Sequence, residues 1–367
     1  MLDYLKTYGH VPFSVSPLND VDLLIFAQLS YMDFSSVEDA VCPFSQALAH
    51  ASAADSPDPS EDRFSFQRRD DRNLAALAAV SARYEGVRFA GFTRHFDPAA
   101  ETQFAALSLL LSDAHLLVAF RGTDNTLAGW KEDFNMAFMD EIPAQRMALD
   151  YLTAADRENI KTITVCGHSK GGNLALYAAS ACSCNMQDRI DRAVSFDGPG
   201  LNEHVIRSDG YRRIEPRMHV VLPRDSLVGR LFEQPGDVRI IDSRSFSTLQ
   251  HYPYFWKTGK MDFIGLARPG RMSVLLGKTV CGLMEKLDSA ARERLVEVVY
   301  GIIASSDADT FNEMIAQGLK SASAVAGSLF RTDAETRRLF LSAVTAILSS
   351  AAEALGLKDG QEPENPV

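Results

Sequence analysis

The chain has 367 residues, which at roughly 150 per domain leaves room for two domains, or for one large domain with an appendage. Hydrophobic residues at 46% and charged residues at 23% match ordinary globular usage and exclude a disordered, collagen-like or disulfide-scaffold chain. A net charge of −11 speaks against nucleic-acid partners and strongly anionic membrane surfaces, because both are bound through Lys and Arg.

In chain order, the first thirty residues lack a basic start followed by an apolar run, since Asp3, Lys6, His10, Asp20 and Asp22 interrupt it. With five cysteines in no zinc-like spacing, this leads us to expect a cytoplasmic protein with reduced thiols. The segment from Asp20 to Tyr31 reads as an apolar helix behind an Asn19 or Asp20 cap. The small, acidic, proline-broken stretch from about residue 50 to 63 reads as an exposed loop. Short apolar runs then alternate with helical stretches: Val87 to Phe92, Phe104 to Leu111, Leu116 to Phe120, a helix from Pro143 to Asn159, then Thr162 to Cys166, Ala193 to Phe196, His219 to Leu222 and Val238 to Ile241. Such alternation predicts an α/β fold around a mostly parallel sheet. After Asp262 the strands stop. Helical patterns follow at 291–304, 311–329 and 334–357, the last entered through Thr332 and Glu335 at capping-box spacing. The expected organisation is an α/β domain over 1–262, a helical C-terminal region over 263–357 and a disordered tail over 358–367. Neither of the most apolar stretches, 104–120 and 339–357, makes a convincing membrane span, so no transmembrane segment is expected.

The strongest local signal is Thr162-Ile-Thr-Val-Cys-Gly-His-Ser-Lys-Gly-Gly-Asn-Leu-Ala-Leu-Tyr, in which Gly167, His168, Ser169 and Gly171 form a Gly-x-Ser-x-Gly elbow between an apolar strand and a helix. The turn is so tight that side chains at the two glycines would collide. It lifts Ser169 to a helix N-terminus, where unpaired N–H groups gather. A serine nucleophile needs a base, and the base needs a carboxylate to orient it. In the chain order Ser, acid, His, His251 follows the last apolar run, whereas His219 lies within a strand and His204 comes too early. Asp225, after the second strand beyond the elbow, is the preferred acid. Asp197, after the first, is the alternative, since its place before Gly-Pro-Gly also suits a turn; Asp237 and Asp242 are weaker candidates. The N–H of Lys170 and the loop carrying Gly122 and Thr123 are the expected donors to an oxyanion. Gly277-Lys-Thr lacks the earlier glycine of a phosphate loop, Gly198-Pro-Gly lacks the third glycine of a dinucleotide fingerprint, and no metal or cofactor is implied.

Phe120-Arg-Gly-Thr, Trp130-Lys-Glu-Asp and Gly-His-Ser-Lys-Gly-Gly together resemble the class 3 (fungal-type) lipase family of α/β-hydrolases, and most of all its uncharacterised bacterial branch, over about Leu18 to Trp256. The resemblance implies a nucleophile at Ser169, an acid at Asp225, a base at His251, oxyanion donors at Thr123 and Lys170, and a lid formed or adjoined by Asn125 to Glu132. Lys170, where many lipases carry an apolar residue, and the missing leader speak against extracellular triglyceride digestion. The expected activity is a serine esterase acting on small-molecule or lipid esters through an acyl-enzyme. Alternatives are a thioesterase or amidase with the same triad, or a catalytically silent hydrolase fold that binds a partner; oligomeric state is left open.

Overall fold

The structure, a computed structural model, describes residues 1–54, 66–124, 127–304 and 333–354. The chain opens with helices α1 (Leu2–Tyr8) and α2 (Asp20–Leu29), strand β1 (Cys42–Pro43), and helices α3 (Phe44–Ala54) and α4 (Phe66–Ala79). Strands β2 (Arg88–Asp97), β3 (Thr102–Ser112) and β4 (His115–Phe120) lead to helices α5 (Leu127–Asn135) and α6 (Pro143–Ala155). Then come β5 (Thr162–His168), α7 (Lys170–Ala181), α8 (Cys184–Arg189), β6 (Ile190–Phe196), α9 (Glu203–Ile206), α10 (Asp209–Ile214), β7 (Met218–Pro223) and β8 (Asp237–Ile241). Helices α11 (Arg271–Glu285), α12 (Ser289–Ala304) and α13 (Ala334–Ala354) follow.

The eight strands β1 to β8 form one sheet in sequence order, antiparallel from β1 to β4 and parallel from β4 to β8. With helices on both faces, this is the α/β-hydrolase arrangement with a helical extension. Strand alternation divides the core between the two faces. Leu107, Leu109, Leu117 and Ala119 join Leu23, Phe26 and Phe44 of the N-terminal helices, while Ala106, Leu110, Leu116 and Val118 join Leu152, Leu174 and Ala178 of α6 and α7. Asn19 caps α2 in a reciprocal box with Asp22. The Asp22 carboxylate also accepts from the Arg83 guanidinium (Nε to Oδ1 2.7 Å) and from the Tyr4 and Tyr84 hydroxyls, all buried.

Several expectations change. Residues up to Ala54 complete α3 instead of entering the loop expected from 50, because the alanine-rich stretch carries Ala47, Leu48 and Ala51 into the core; the rest of that loop falls outside the described residues. Helix α11 was not expected, and Gly277 lies in its middle, packed against Arg230, which is no place for a phosphate loop. Helix α13 is capped by Asp333, whose carboxylate accepts from the Glu335 and Thr336 N–H groups, so the capping position lies one residue beyond Thr332. The predicted helix at 311–329 and the tail at 358–367 lie outside the described residues. No described helix is long and apolar enough to cross a membrane.

Candidate active site

Strand β5 enters the elbow and α7 leaves it. Ser169 holds φ 57°, ψ −132°, a backbone conformation that a non-glycine residue rarely adopts and that costs about 1–3 kcal/mol. It is held there by its own N–H donating to Phe196 O at 2.9 Å and by Gly172 N–H donating to Ser169 O at 2.8 Å. A Cβ at Gly167 would lie 2.1 Å from Gly171 O, so the turn accepts no side chain there.

His251 sits at the end of a 3₁₀ turn, Ser247–His251, with its Nε2 2.9 Å from Ser169 Oγ and its Nδ1 2.7 Å from Asp197 Oδ2. A carboxylate only accepts, so Nδ1 carries the proton and Nε2 is free to accept from the serine hydroxyl. Asp197 is fully buried at φ 50°, and its other oxygen accepts from Ser226 Oγ.

The carboxylate on His251 is therefore Asp197, and the preference for Asp225 is corrected. Asp197 directly follows β6, the neighbour of the nucleophile strand β5. Asp225 follows β7, a second step of about 4.8 Å across the sheet. It pairs with the residue before the histidine: its N–H donates to Gln250 Oε1 at 2.9 Å, and its Oδ2 accepts from Gln250 Nε2 at 2.9 Å. The place before Gly-Pro-Gly made Asp197 look like a turn residue, and in the turn, at φ 50°, its carboxylate meets the imidazole. The other candidates lie elsewhere, with His219 bonded to Asp237 at 2.8 Å, Asp242 to Lys257 at 2.7 Å, and His204 within the short α9.

His168 supports the site from behind. Its Nε2 donates to the His251 carbonyl at 2.9 Å, its ring lies 4.7 Å from the His251 ring, and Tyr31 OH approaches its Nδ1 at 3.5 Å. Burial, and then the neighbouring His251, hold the His168 pKa well below the ordinary histidine value, so it stays neutral and keeps this donor orientation.

Of the two expected oxyanion donors, Lys170 directly follows Ser169, and Thr123 follows Gly122, which packs against the elbow. Lys170 is the first residue of α7, so its N–H has no acceptor within the helix. Gly122, next to Thr123, runs so close to the elbow that a Cβ there would meet Tyr31 OH at 2.3 Å and His168 O at 2.5 Å. The Thr123 hydroxyl donates to Asp133 Oδ2 at 2.6 Å. Burial pushes the Asp133 carboxyl up to about 6, against the pull of Lys170 and Thr123. The Lys170 side chain is itself buried, donating to Glu132 Oε2 at 2.6 Å and to Gln103 O at 2.8 Å. Sequence reasoning passed over Asp133, Glu132, Gln103, Tyr31 and Ser226; only the first two carried a signal, inside the Trp130-Lys-Glu-Asp run.

A family model described as Mbeg1-like matches residues 78–301, more than half of the chain. The chain belongs to the Mbeg1-like family, a lipase-like family. The match crosses the boundary expected at 262 and takes in α11 and nearly all of α12. Membership supports an ester hydrolase in general terms. No curated protein matches the chain. Among solved structures, a crystal structure of M37 lipase is similar at 14% identity and a TM-score of 0.36, over 59% of this chain and 70% of that one.

Proposed function

We propose that this Mbeg1-like chain is a serine hydrolase that cleaves carboxylic, lipid-like acyl esters through an acyl-enzyme. The observation that carries the reading is the unbroken line from Asp197 through His251 to Ser169, with hydrogen-bonding distances of 2.7 and 2.9 Å. In the proposed reaction Ser169 Oγ attacks the ester carbonyl as its proton passes to His251 Nε2. The imidazolium is stabilised by Asp197 through Nδ1–H, and the oxyanion is met by the N–H groups of Thr123 and Lys170. His251 then protonates the leaving alcohol. Water, deprotonated by the same nitrogen, attacks the acyl-enzyme and releases the acid.

Asp133 governs the hydroxyl of Thr123. While Asp133 is ionised it takes the single hydroxyl proton of Thr123, which leaves the backbone N–H as the donor to the oxyanion; a protonated Asp133 can donate to Thr123 Oγ and free that proton for the oxyanion.

A fluorophosphonate probe and a panel of p-nitrophenyl esters of increasing length test the reading. The wild type should label on Ser169 and hydrolyse the esters, and Ser169→Ala should abolish labelling and lower kcat by at least ~10³. Hydrolysis that survives Ser169→Ala undiminished, or a wild type that does not label, refutes it. Comparison of esters with matched thioesters and amides fixes the bond preferred.

A further inference from the structure

We infer that Lys170 and Glu132 are positioning residues that hold the two oxyanion donors in fixed relation to each other, an inference that rests on the serine-hydrolase reading above. One donor, the Lys170 N–H, belongs to the elbow. The other, at Thr123, belongs to the loop between β4 and α5. They are 47 residues apart in the chain, and the β4–β5 ladder that sets their strands side by side ends at Phe120 and Gly167, three residues short of each donor.

The side chain of Lys170 links them twice. The Lys170 ammonium and the Glu132 carboxylate meet at 2.6 Å with both side chains 1% exposed. Glu132 lies on α5, and the next residue, Asp133, holds the Thr123 hydroxyl at 2.6 Å. The second route runs through Gln103 of β3. Its carbonyl accepts from Lys170 Nζ at 2.8 Å, its N–H donates to Glu132 Oε2 at 3.0 Å, and its side-chain Oε1 accepts from the N–H of Asp124, adjacent to Thr123, at 3.1 Å. Glu132 Oε1 also accepts from Ala144 N–H at 3.0 Å, at the start of α6. Helices α5, α6 and α7 and strand β3 thus converge on one buried ion pair.

Stability alone does not explain the pair. Replacing a buried ion pair by apolar side chains of similar volume is often neutral or stabilising, because neither charge then has to leave water. What an apolar pair cannot reproduce is the set of directional bonds to Gln103 and Ala144. An oxyanion donor is effective only when aimed at the developing charge, and a displacement of about 1 Å can cost about 10²-fold in rate.

The test is the full-length double variant Lys170→Met/Glu132→Met, with kcat, KM and melting temperature measured on a p-nitrophenyl ester that the wild type hydrolyses. The expected result is a folded protein whose kcat falls about 10²-fold while KM stays within about threefold. A kcat fall of less than tenfold, or a loss carried by KM, overturns the inference. Should the double variant fail to fold, Glu132→Gln, which keeps the shape and one carbonyl oxygen to accept from Lys170 and the Gln103 N–H but turns its amide NH2 toward the Ala144 N–H, carries the same kcat criterion. Failure of the hydrolase reading is distinguishable, since it appears in the wild type as the absence of Ser169 labelling.

Discussion

At the scale of single residues, two neighbouring carboxylates on the same rim have different work because they sit on different partners. Asp197 meets the imidazole of His251 and Asp225 meets the amide of Gln250. Asp197→Asn should lower kcat by about 10⁴, because an amide fails to stabilise the imidazolium and admits the wrong tautomer. Asp225→Asn should cost less than about tenfold; steady-state kinetics on both folded variants checks the ranking, and a reversed order would move the acid to β7. Asp133 makes a prediction about pH. Its carboxyl, raised from 3.8 to about 6, favours folding fully below pH 3.8, and that contribution is lost as pH rises through about 6. At pH 7 the ionised form is therefore a burden of at most about 3 kcal/mol. Asp133→Asn should gain in melting temperature relative to wild type between pH 4 and pH 7, and a difference that stays constant across that range would show that the buried carboxyl is not titrating there.

At the scale of elements, the site depends on backbone segments that approach more closely than side chains permit. The loop after β4 touches the elbow at Gly122, where a Cβ would lie 3.0 Å from Ser169 Cβ as well as against Tyr31 and His168. The His168 carbonyl is backbone and cannot give way to a Cβ without moving the loop that carries Thr123. Gly122→Ala should therefore lower kcat by about 10²-fold or more and destabilise by about 1–3 kcal/mol. A variant with normal kcat and only a lower melting temperature would show that Thr123 is not a donor. The Asp22–Arg83 pair is the counterpart away from the site, since its bonds tie α2 to the segments before and after it and reach no catalytic group.

At the scale of the whole molecule, the C-terminal helices lie at the carboxyl ends of the strands, on the same side as Ser169. Ser273 of α11 donates to Ser226 O, Arg292 of α12 donates to Ala137 O at 3.4 Å, and Ser289 donates to Phe138 O at 3.0 Å. The buried ammonium of Lys131 on α5 bonds Glu297 of α12 and stands 5.1 Å over the Tyr300 ring. Three successive residues of α5 are thus anchored outward to α12, inward to Lys170 and forward to Thr123. That is more support than an opening lid would have. Glu297→Ala/Tyr300→Ala should raise amide hydrogen exchange across 127–135 by about tenfold or more while α7 stays protected, and should shift the preference between short and long acyl esters. Unchanged exchange in α5 would show that α12 does not hold it.

Much of this was legible in the sequence because it rests on local rules. The short apolar runs place β2 to β8, since strands covered on both faces of a sheet show their burial in their own residues. The elbow was legible because strand, Gly167-His-Ser169-Lys-Gly171 and helix are contiguous, and the only geometry that accommodates those glycines lifts the serine. His251 followed from its order in the chain. Tertiary structure decided what depends on distance between segments remote in sequence. Asp197 and Asp225 follow successive strands, sequence reasoning preferred the second, and only the placement of β6 beside β5 brings the first to the imidazole. Asp133, Gln103 and the Lys170–Glu132 pair have partners 10 to 67 residues away, which no periodicity encodes. The apolar faces of the last helices announced burial, but a face says only that it must be covered; which surface covers it was decided by Lys131, Ser226 and Ala137 being where the fold had put them.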